Sequence, residues 1–124
     1  MRAFLLPLIA SLALLQPAPR IEERRQPTLF TAEQRAACEA EGGRVATAGL
    51  SGDDMCARPY ADAGRACTDG SQCLGDCLLD ESSLNGKRPV HDMEAAGLCQ
   101  AFAYPFGCRN LIEDGRLTLG LCVD

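Results

Sequence analysis

Eight cysteines are the residues of this chain whose type and number most directly predict chemistry. They are Cys38, Cys56, Cys67, Cys73, Cys77, Cys99, Cys108 and Cys122. An even number of cysteines in a short exported chain predicts a set of disulfide bonds, because pairing all of them leaves no free thiol. Four bridges allow about 100 different pairings, so the number alone does not identify the partners. We therefore expect a disulfide-stabilised domain.

Metal binding is the alternative use of cysteines. Structural zinc sites usually need two close cysteine pairs, or one close pair with two histidines. Cys73 and Cys77 have the required spacing, but His91 is the only histidine of the chain. A thioredoxin-like redox site would need a Cys-x-x-Cys motif, which the sequence lacks. The sequence thus favours disulfides, and we expect no metal and no cofactor.

Acidic residues are the remaining candidates for catalysis. Asp53 or Asp69 would supply the acid or base of a small cell-envelope hydrolase, as paired carboxylates do in sugar hydrolysis. Carboxylates in polar loops are mostly just solvated, and the spacing of Asp69, Ser71 and Asp76 does not match a calcium-binding loop. The lone histidine, His91, is interpreted as a solvated loop residue. No catalytic residue is assigned, and a hydrolase stays the alternative.

Residues 1–18 have the three parts of an export signal. Arg2 supplies the positive charge, an apolar run follows it to Leu15, and Ala18 is a small residue at the exit. The run is shorter than the roughly 20 apolar residues that cross a membrane, and it contains Pro7. We therefore predict a cleaved signal peptide and a secreted or periplasmic protein that has no membrane association after cleavage.

The charge of the chain argues against a nucleic-acid partner. The 17 acidic and 12 basic residues give a formal net charge of −5, and loss of Arg2 with the signal peptide makes it one unit more negative. Phosphate binding depends on clustered basic residues. The one such cluster, Arg24-Arg25, directly follows Glu22-Glu23. We expect the partner to be an unknown protein or another component of the cell envelope.

The rest of the chain predicts a single domain with little regular structure. Residues 19–29 are polar and contain two prolines, which predicts a flexible lead-in. Residues 30–124 are the length of one domain. Aromatic residues for a core are few: Phe30, Tyr60, Phe102, Tyr104 and Phe106. We predict a small, disulfide-rich, irregular α+β fold with one short N-terminal helix, short antiparallel strands and a C-terminal hairpin.

Local patterns place three of these elements. Thr31 and Gln34 match a capping box, which predicts a helix over about 32–41 that Gly42-Gly43 ends. Residues 44–50 are a moderate strand candidate, and 51–76 are rich in Gly, Asp, Ser and Pro, which predicts little regular structure. A loose hairpin is expected between residues 77–79 and 89–91, with its turn at Asn85-Gly86.

The C-terminus predicts the clearest hairpin. A buried strand face is indicated by a period of two in Leu117, Leu119, Leu121 and Val123. Residues 111–113 offer a partner strand. A three-residue loop centred on Gly115 places Cys108 directly opposite Cys122, close enough for a disulfide. A two-residue Asp114-Gly115 turn would instead shift the facing pairs by one residue and put the two cysteines out of register.

One stretch of the chain carries a resemblance to other proteins. Residues 67–77 contain the cysteine and small polar elements that recur in disulfide-rich extracellular modules. Taken with Gly97-Leu98-Cys99, Phe106-Gly107-Cys108 and the terminal Leu121-Cys122-Val123-Asp124, the chain from about 38 to 124 resembles small exported cysteine-rich proteins of Gram-negative bacteria. The resemblance implies a periplasmic or secreted bacterial domain, and it transfers no catalytic or binding residue.

The function that these observations favour is binding without catalysis. Loops that disulfides hold in place lose less entropy when they bind a partner. We therefore expect a non-enzymatic, disulfide-stabilised domain that binds another envelope or extracellular molecule, for which inhibition of an enzyme is one form. The alternatives are a small cell-envelope hydrolase and a structural component of the envelope.

Overall fold

The computed structural model of the chain describes residues 25–124. The predicted signal peptide, residues 1–18, and the first part of the predicted lead-in lie outside the described residues. Within residues 25–124 the chain forms one α-helix, seven short strands in two antiparallel sheets, and three short 3-10 helices. Four disulfide bonds pair all eight cysteines. This is a small disulfide-rich α+β fold, as the sequence predicts.

The helix, α1, spans Ala32–Ala40 and begins at the predicted capping box. Thr31 Oγ1 accepts the backbone N–H of Gln34 at 3.2 Å, and the side-chain oxygen of Gln34 accepts the N–H of Thr31 at 2.8 Å. Gly42 follows the helix at φ 75°, a left-handed conformation that glycine adopts without steric cost. Cys38 is buried, and its bridge to Cys56 ties the helix to the first sheet.

The first sheet has two strands, β1 (Arg44–Ala48) and β2 (Asp53–Ala57). They pair along their full length, from Arg44 opposite Ala57 to Ala48 opposite Asp53. β2 lies in the stretch for which the sequence predicts little regular structure, because that stretch is rich in Gly, Asp, Ser and Pro. Pairing with β1 and the Cys38–Cys56 bridge supply the order that local propensity does not.

Residues 25–29 of the predicted lead-in have no regular secondary structure and run beside β2. The backbone N–H of Thr28 donates to Asp53 Oδ1 at 2.6 Å, and the Thr28 carbonyl accepts the N–H of Asp54 at 2.9 Å. Arg25 adds an exposed ion pair to Asp53 at 3.4 Å. The described end of this segment is thus attached to the first sheet.

The second sheet has five antiparallel strands in the spatial order β3-β5-β4-β6-β7. Their bounds are β3 Ala66–Cys67, β4 Cys77–Leu79, β5 Gly97–Cys99, β6 Gly107–Glu113 and β7 Arg116–Val123. A small core lies against this sheet and consists of Cys67, Cys77, Cys99, Ile112 and Leu117. Three of these five buried residues are cysteines, so the bridges Cys67–Cys77 and Cys73–Cys99 are part of the core itself.

The predicted hairpin between residues 77–79 and 89–91 is wrong. β4 pairs with β5 on one side and with β6 on the other, so Leu78 lies opposite both Leu98 and Leu111. After β4, Asp80 caps a short 3-10 helix, Glu81–Leu84, by accepting the N–H of Ser82. Asn85 and Gly86 do have positive φ, 51° and 76°, but they end this 3-10 helix instead of joining two strands.

The C-terminal hairpin is present, but its turn is the two-residue one. Asp114 and Gly115 both have positive φ, 50° and 73°, which is the conformation that a tight hairpin turn over Asp-Gly adopts. Glu113 therefore lies opposite Arg116, whereas a three-residue loop would place it opposite Leu117. The Cys108–Cys122 bridge forms nevertheless, because the register shifts by one residue between Arg109 and Leu111.

The predicted buried face of β7 is wrong beyond its first residue. Leu117 is only 1% exposed, whereas Leu121 is 44% exposed. Leu119 and Val123 are similarly exposed at 38% and 37%. The register shift explains the exposure of Leu121 and Val123: an extra residue in one strand reverses which face the following side chains occupy. Leu117 pairs with buried Ile112, while Leu121 pairs with Arg109 beyond the shift.

No helix among the described residues is both long and apolar enough to cross a membrane.

Candidate functional site

The loop between β5 and β6 of the second sheet packs against the first sheet and carries three of the six aromatic residues of the chain. Tyr60, just after β2, donates its backbone N–H to the Ala101 carbonyl at 2.9 Å. The Tyr104 hydroxyl donates to the carbonyl of Thr47 in β1 at 2.6 Å. Arg44, also in β1, lies over the Phe102 ring, with its guanidinium carbon 4.9 Å from the ring centroid. The loop is therefore fixed against the first sheet by polar and cation–π contacts.

Two adjoining cavities open along this loop. The first has a volume of about 520 Å³ and includes Tyr60, Asp76 and Pro105 in its lining. The second has a volume of about 330 Å³ and includes Phe102 and Phe106. Both volumes lie in the range of ligand pockets, roughly 300–1,000 Å³. The two cavities share three lining residues, so we treat them as one aromatic groove, which comprises Tyr60, Asp76, Gln100, Phe102, Tyr104, Pro105, Phe106 and Arg109.

Gln100 and Arg109 line both cavities, and the side chains of both bind backbone carbonyl groups. The Gln100 amide nitrogen donates to the carbonyls of Phe102 at 2.7 Å and Tyr104 at 3.1 Å. Arg109 donates from its two terminal nitrogens to the carbonyls of Tyr104 at 3.0 Å and Pro105 at 2.7 Å. These bonds satisfy carbonyl groups of an irregular loop and hold its aromatic side chains in place.

Gly75 has no side chain, which allows the Tyr60 ring to lie close to Gln100. A Cβ atom at Gly75 would lie 2.6 Å from the ring of Tyr60 and 2.9 Å from the side-chain oxygen of Gln100. Those distances are shorter than van der Waals contact, so the Tyr60 ring packs directly on the Gly75 backbone. Asp76, the next residue, donates its N–H to the same Gln100 oxygen at 3.2 Å.

Disulfides border the groove on two sides. Cys73–Cys99 joins the residues just before Leu74 and Gln100, both of which line the groove. Cys108–Cys122 joins the residue before Arg109 to β7. The groove is therefore shaped by covalent links as well as by hydrogen bonds, and it is formed before any ligand arrives.

The carboxylates predicted as hydrolase candidates have other roles. Asp53 accepts a hydrogen bond from the backbone N–H of Thr28, and this bond is the main cause that lowers its pKa from 3.8. Asp69 caps the short 3-10 helix Gly70–Gln72, and hydrogen bonds from Ser71 and then from the Asp114 N–H lower its pKa to about 2. A general acid needs a raised pKa, so this environment does not favour that role.

The structure also shows the surroundings of the other residues that the sequence suggests for metal binding or catalysis. Cys67, Cys73 and Cys99 have their sulfur atoms within 4.8 Å of one another, but all three are in disulfides and offer no thiolate to a metal. His91 is exposed in a loop. A cavity of about 420 Å³ is lined by Asp69, Asp76, Glu113 and Asp114, yet Asp69 is engaged with backbone N–H groups there.

The groove could not be recognised from the sequence. Its lining comes from four separated parts of the chain: Arg44, Tyr60, residues 74–78 and residues 100–109. One signal was available, since Phe102, Tyr104 and Phe106 are three of only six aromatic residues in the chain and fall within five positions. Such a concentration of aromatic residues, in a sequence that has few of them, indicates a segment that contributes to packing or binding.

Comparison of the chain with protein-family models, curated proteins and solved structures gives no match.

Proposed function

We propose that this chain is an exported, non-enzymatic, disulfide-stabilised binding domain that uses the aromatic groove to hold another envelope or extracellular molecule. Cleavage of residues 1–18 releases it as a secreted or periplasmic protein. Inhibition of an enzyme is one form that such binding takes. The observation that carries the proposal is the aromatic groove itself, which two disulfides and a network of side-chain to backbone hydrogen bonds hold open.

The physical reason is preorganisation. Aromatic side chains supply a large contact area and have few rotatable bonds, so ordering them costs little entropy. Phe102, Tyr104 and Phe106 are half-buried, which leaves part of each ring accessible. A ligand that enters the groove therefore gains contact area without having to order the loop first.

The test compares the oxidised protein with two single variants. Tyr60→Ala removes one wall of the groove, and Leu50→Ala removes a side chain that is 87% exposed and lies outside the groove. Each protein is immobilised, exposed to an envelope extract and analysed by mass spectrometry. We expect one stoichiometric partner that the native protein and Leu50→Ala retain and that Tyr60→Ala loses. A partner retained by all three proteins would show that the groove is not the binding face.

Catalysis is checked in the same extract. Turnover of cell-wall material by the native protein, abolished by Asp53→Asn or Asp69→Asn, would replace the binding proposal with the hydrolase. Far-ultraviolet circular dichroism of each variant establishes that its fold is retained.

A further inference from the structure

The end of the groove near Tyr60 offers hydrogen-bond acceptors to a ligand. Asp76 and Arg109 form an ion pair across it, with Arg109 Nε 3.3 Å from Asp76 Oδ2. The two partners are unequally accessible: the side chain of Asp76 is 40% exposed and that of Arg109 only 16%. Arg109 also directs its terminal nitrogens at loop carbonyls. The charge that faces solvent at this end is therefore that of the Asp76 carboxylate.

The opposite end of the groove has a different character. Its lining includes the apolar side chains of Leu78, Ala101, Phe102 and Phe106. Arg44 already lies over the Phe102 ring, so a second cation would be repelled there. The groove thus has an acidic end at Asp76 and an apolar end at Phe102, joined by the Tyr104 ring and Pro105.

The polar groups between the two ends are largely engaged within the protein. Gln100 uses its oxygen for the Asp76 N–H and its nitrogen for two carbonyls, and the Tyr104 hydroxyl donates to Thr47. A sugar carries hydroxyl groups that each need a new partner on burial, because an unpaired buried hydroxyl costs about 1–3 kcal/mol. The groove therefore suits a ligand with one charged group and otherwise apolar contacts better than it suits a saccharide.

From these features we infer that the groove binds an extended peptide segment. A lysine or arginine side chain lies against Asp76 and the Tyr60 ring, and an apolar side chain of the same segment occupies the end lined by Phe102 and Phe106. This inference rests on the proposed function and names its ligand class.

Four physical effects support such a ligand. The cationic head pairs with the exposed carboxylate, and its methylene stem packs on an aromatic ring. Extended segments, proline-rich ones above all, dock into aromatic-lined grooves because their backbone is already ordered. The net charge of −5 attracts cationic peptides at a distance.

The test uses blocked, fluorescently labelled peptides of two core sequences, Arg-Pro-Pro-Leu and Leu-Pro-Pro-Arg, so that both chain directions are represented. Matched peptides replace Arg by Gln or Leu by Gly. Affinity is measured by fluorescence anisotropy, and the binding face by NMR chemical-shift changes of the oxidised, ¹⁵N-labelled protein. We expect one arginine peptide to bind about tenfold more tightly than its glutamine counterpart and to shift the amides of Asp76, Gln100 and Arg109.

Two variants identify the residue responsible. Asp76→Asn removes the charge that faces the ligand and should abolish the preference for arginine over glutamine. Asp92→Asn is the matched control, because Asp92 also pairs with an arginine, Arg116 at 3.8 Å, but lies outside the groove; it should retain the preference. Tyr60→Leu keeps an apolar side chain but removes the ring, so it should weaken the preference for arginine. This variant leaves Asp76 in place and therefore tests the inference independently of any effect that Asp76→Asn has on Arg109.

The outcomes separate this inference from the proposed function. Equal affinity for the arginine and glutamine peptides, or a preference that Asp76→Asn retains, overturns the cationic peptide. Groove shifts produced by a chito-oligosaccharide but by none of the peptides also overturn it, while they support the groove as the binding face. If no peptide binds but capture of the extract partner still depends on Tyr60, only the ligand class is wrong. If no peptide binds in the groove and capture of the partner does not depend on Tyr60, both proposals fail.

Discussion

The backbone N–H of Gly120 donates to the side-chain oxygen of Asn110 across the C-terminal hairpin, at 3.0 Å. At this point Leu119 and Gly120 of β7 together oppose the single residue Asn110 of β6, which makes a β-bulge. Gly120 has φ 72°, a conformation that other residues avoid. If Leu119 and Gly120 both paired regularly instead of forming a bulge, the tight Asp114-Gly115 turn would leave Cys108 opposite Leu121, the neighbour of Cys122. The bulge thus brings the two cysteines together.

Substitution of Gly120 tests the bulge. Gly120→Val places a β-branched residue in a left-handed conformation, which should lower the free energy of unfolding by about 1–2 kcal/mol. Urea unfolding of the oxidised protein measures this change. Deletion of Gly120 is the informative control, because it removes the extra residue and so keeps Cys108 opposite Cys122. Loss of that bridge in the deletion variant, read by peptide mapping without reduction, would contradict our account of the register.

Truncation of two leucines tests which face of β7 is buried. Leu117→Ala removes side-chain atoms from the core beside Ile112 and should cost about 2–5 kcal/mol of unfolding free energy. Leu121→Ala removes a side chain that is 44% exposed and should cost less than about 1 kcal/mol. Thermal and urea unfolding give both values. Equal losses from the two variants would mean that the faces are assigned incorrectly.

Acid unfolding tests the contribution of Asp69. Its pKa falls from 3.8 to about 2 in the folded protein because Ser71 and the Asp114 N–H donate hydrogen bonds to its ionised form. A lowered pKa stabilises the fold above pH 3.8, and this stabilisation disappears as the pH falls toward about 2. Asp69→Asn should therefore be less stable than the native protein at pH 7 and should lose less stability in that acid range.

The matched control for Asp69 is Glu39→Gln, which removes one negative charge from an exposed position of α1. It should leave the unfolding free energy at pH 7 within about 0.5 kcal/mol of the native value, as exposed substitutions usually do. If Asp69→Asn and the native protein lose stability in parallel over this range, the hydrogen bonds to Asp69 contribute nothing to acid stability.

A methyl group at Gly75 tests the architecture of the groove. Gly75→Ala should displace the Tyr60 ring, since the new Cβ would lie 2.6 Å from it, and should cost about 1–3 kcal/mol through overpacking. We expect altered Tyr60 ring signals in NMR spectra and weaker binding of groove ligands. Gly70→Ala is the control, because no described heavy atom lies within 4 Å of a Cβ there; its stability and Tyr60 signals should match those of the native protein.

Features that depend on neighbouring residues could be predicted from the sequence. The capping box of Thr31 and Gln34 is complete within four residues, so the start of α1 needs no distant partner to be recognised. The even number of cysteines likewise predicts full pairing, since it depends on counting alone. The existence of the C-terminal hairpin follows from alternating leucines and an Asp-Gly turn.

What the sequence could not determine depends on contacts between distant residues. β2 has low β-propensity and is a strand only because β1 lies beside it. Gln100, which lines the groove together with Tyr60, is 40 positions away in the chain, and the hydrogen bond from the Tyr60 N–H to the Ala101 carbonyl holds the two segments together. The partner of Cys122 depends on one glycine with positive φ, Gly120, whose N–H donates a hydrogen bond to the Asn110 side chain of the opposite strand. Local propensity specifies where a strand or turn can form, but register and cavity shape result from packing, which the tertiary structure alone decides.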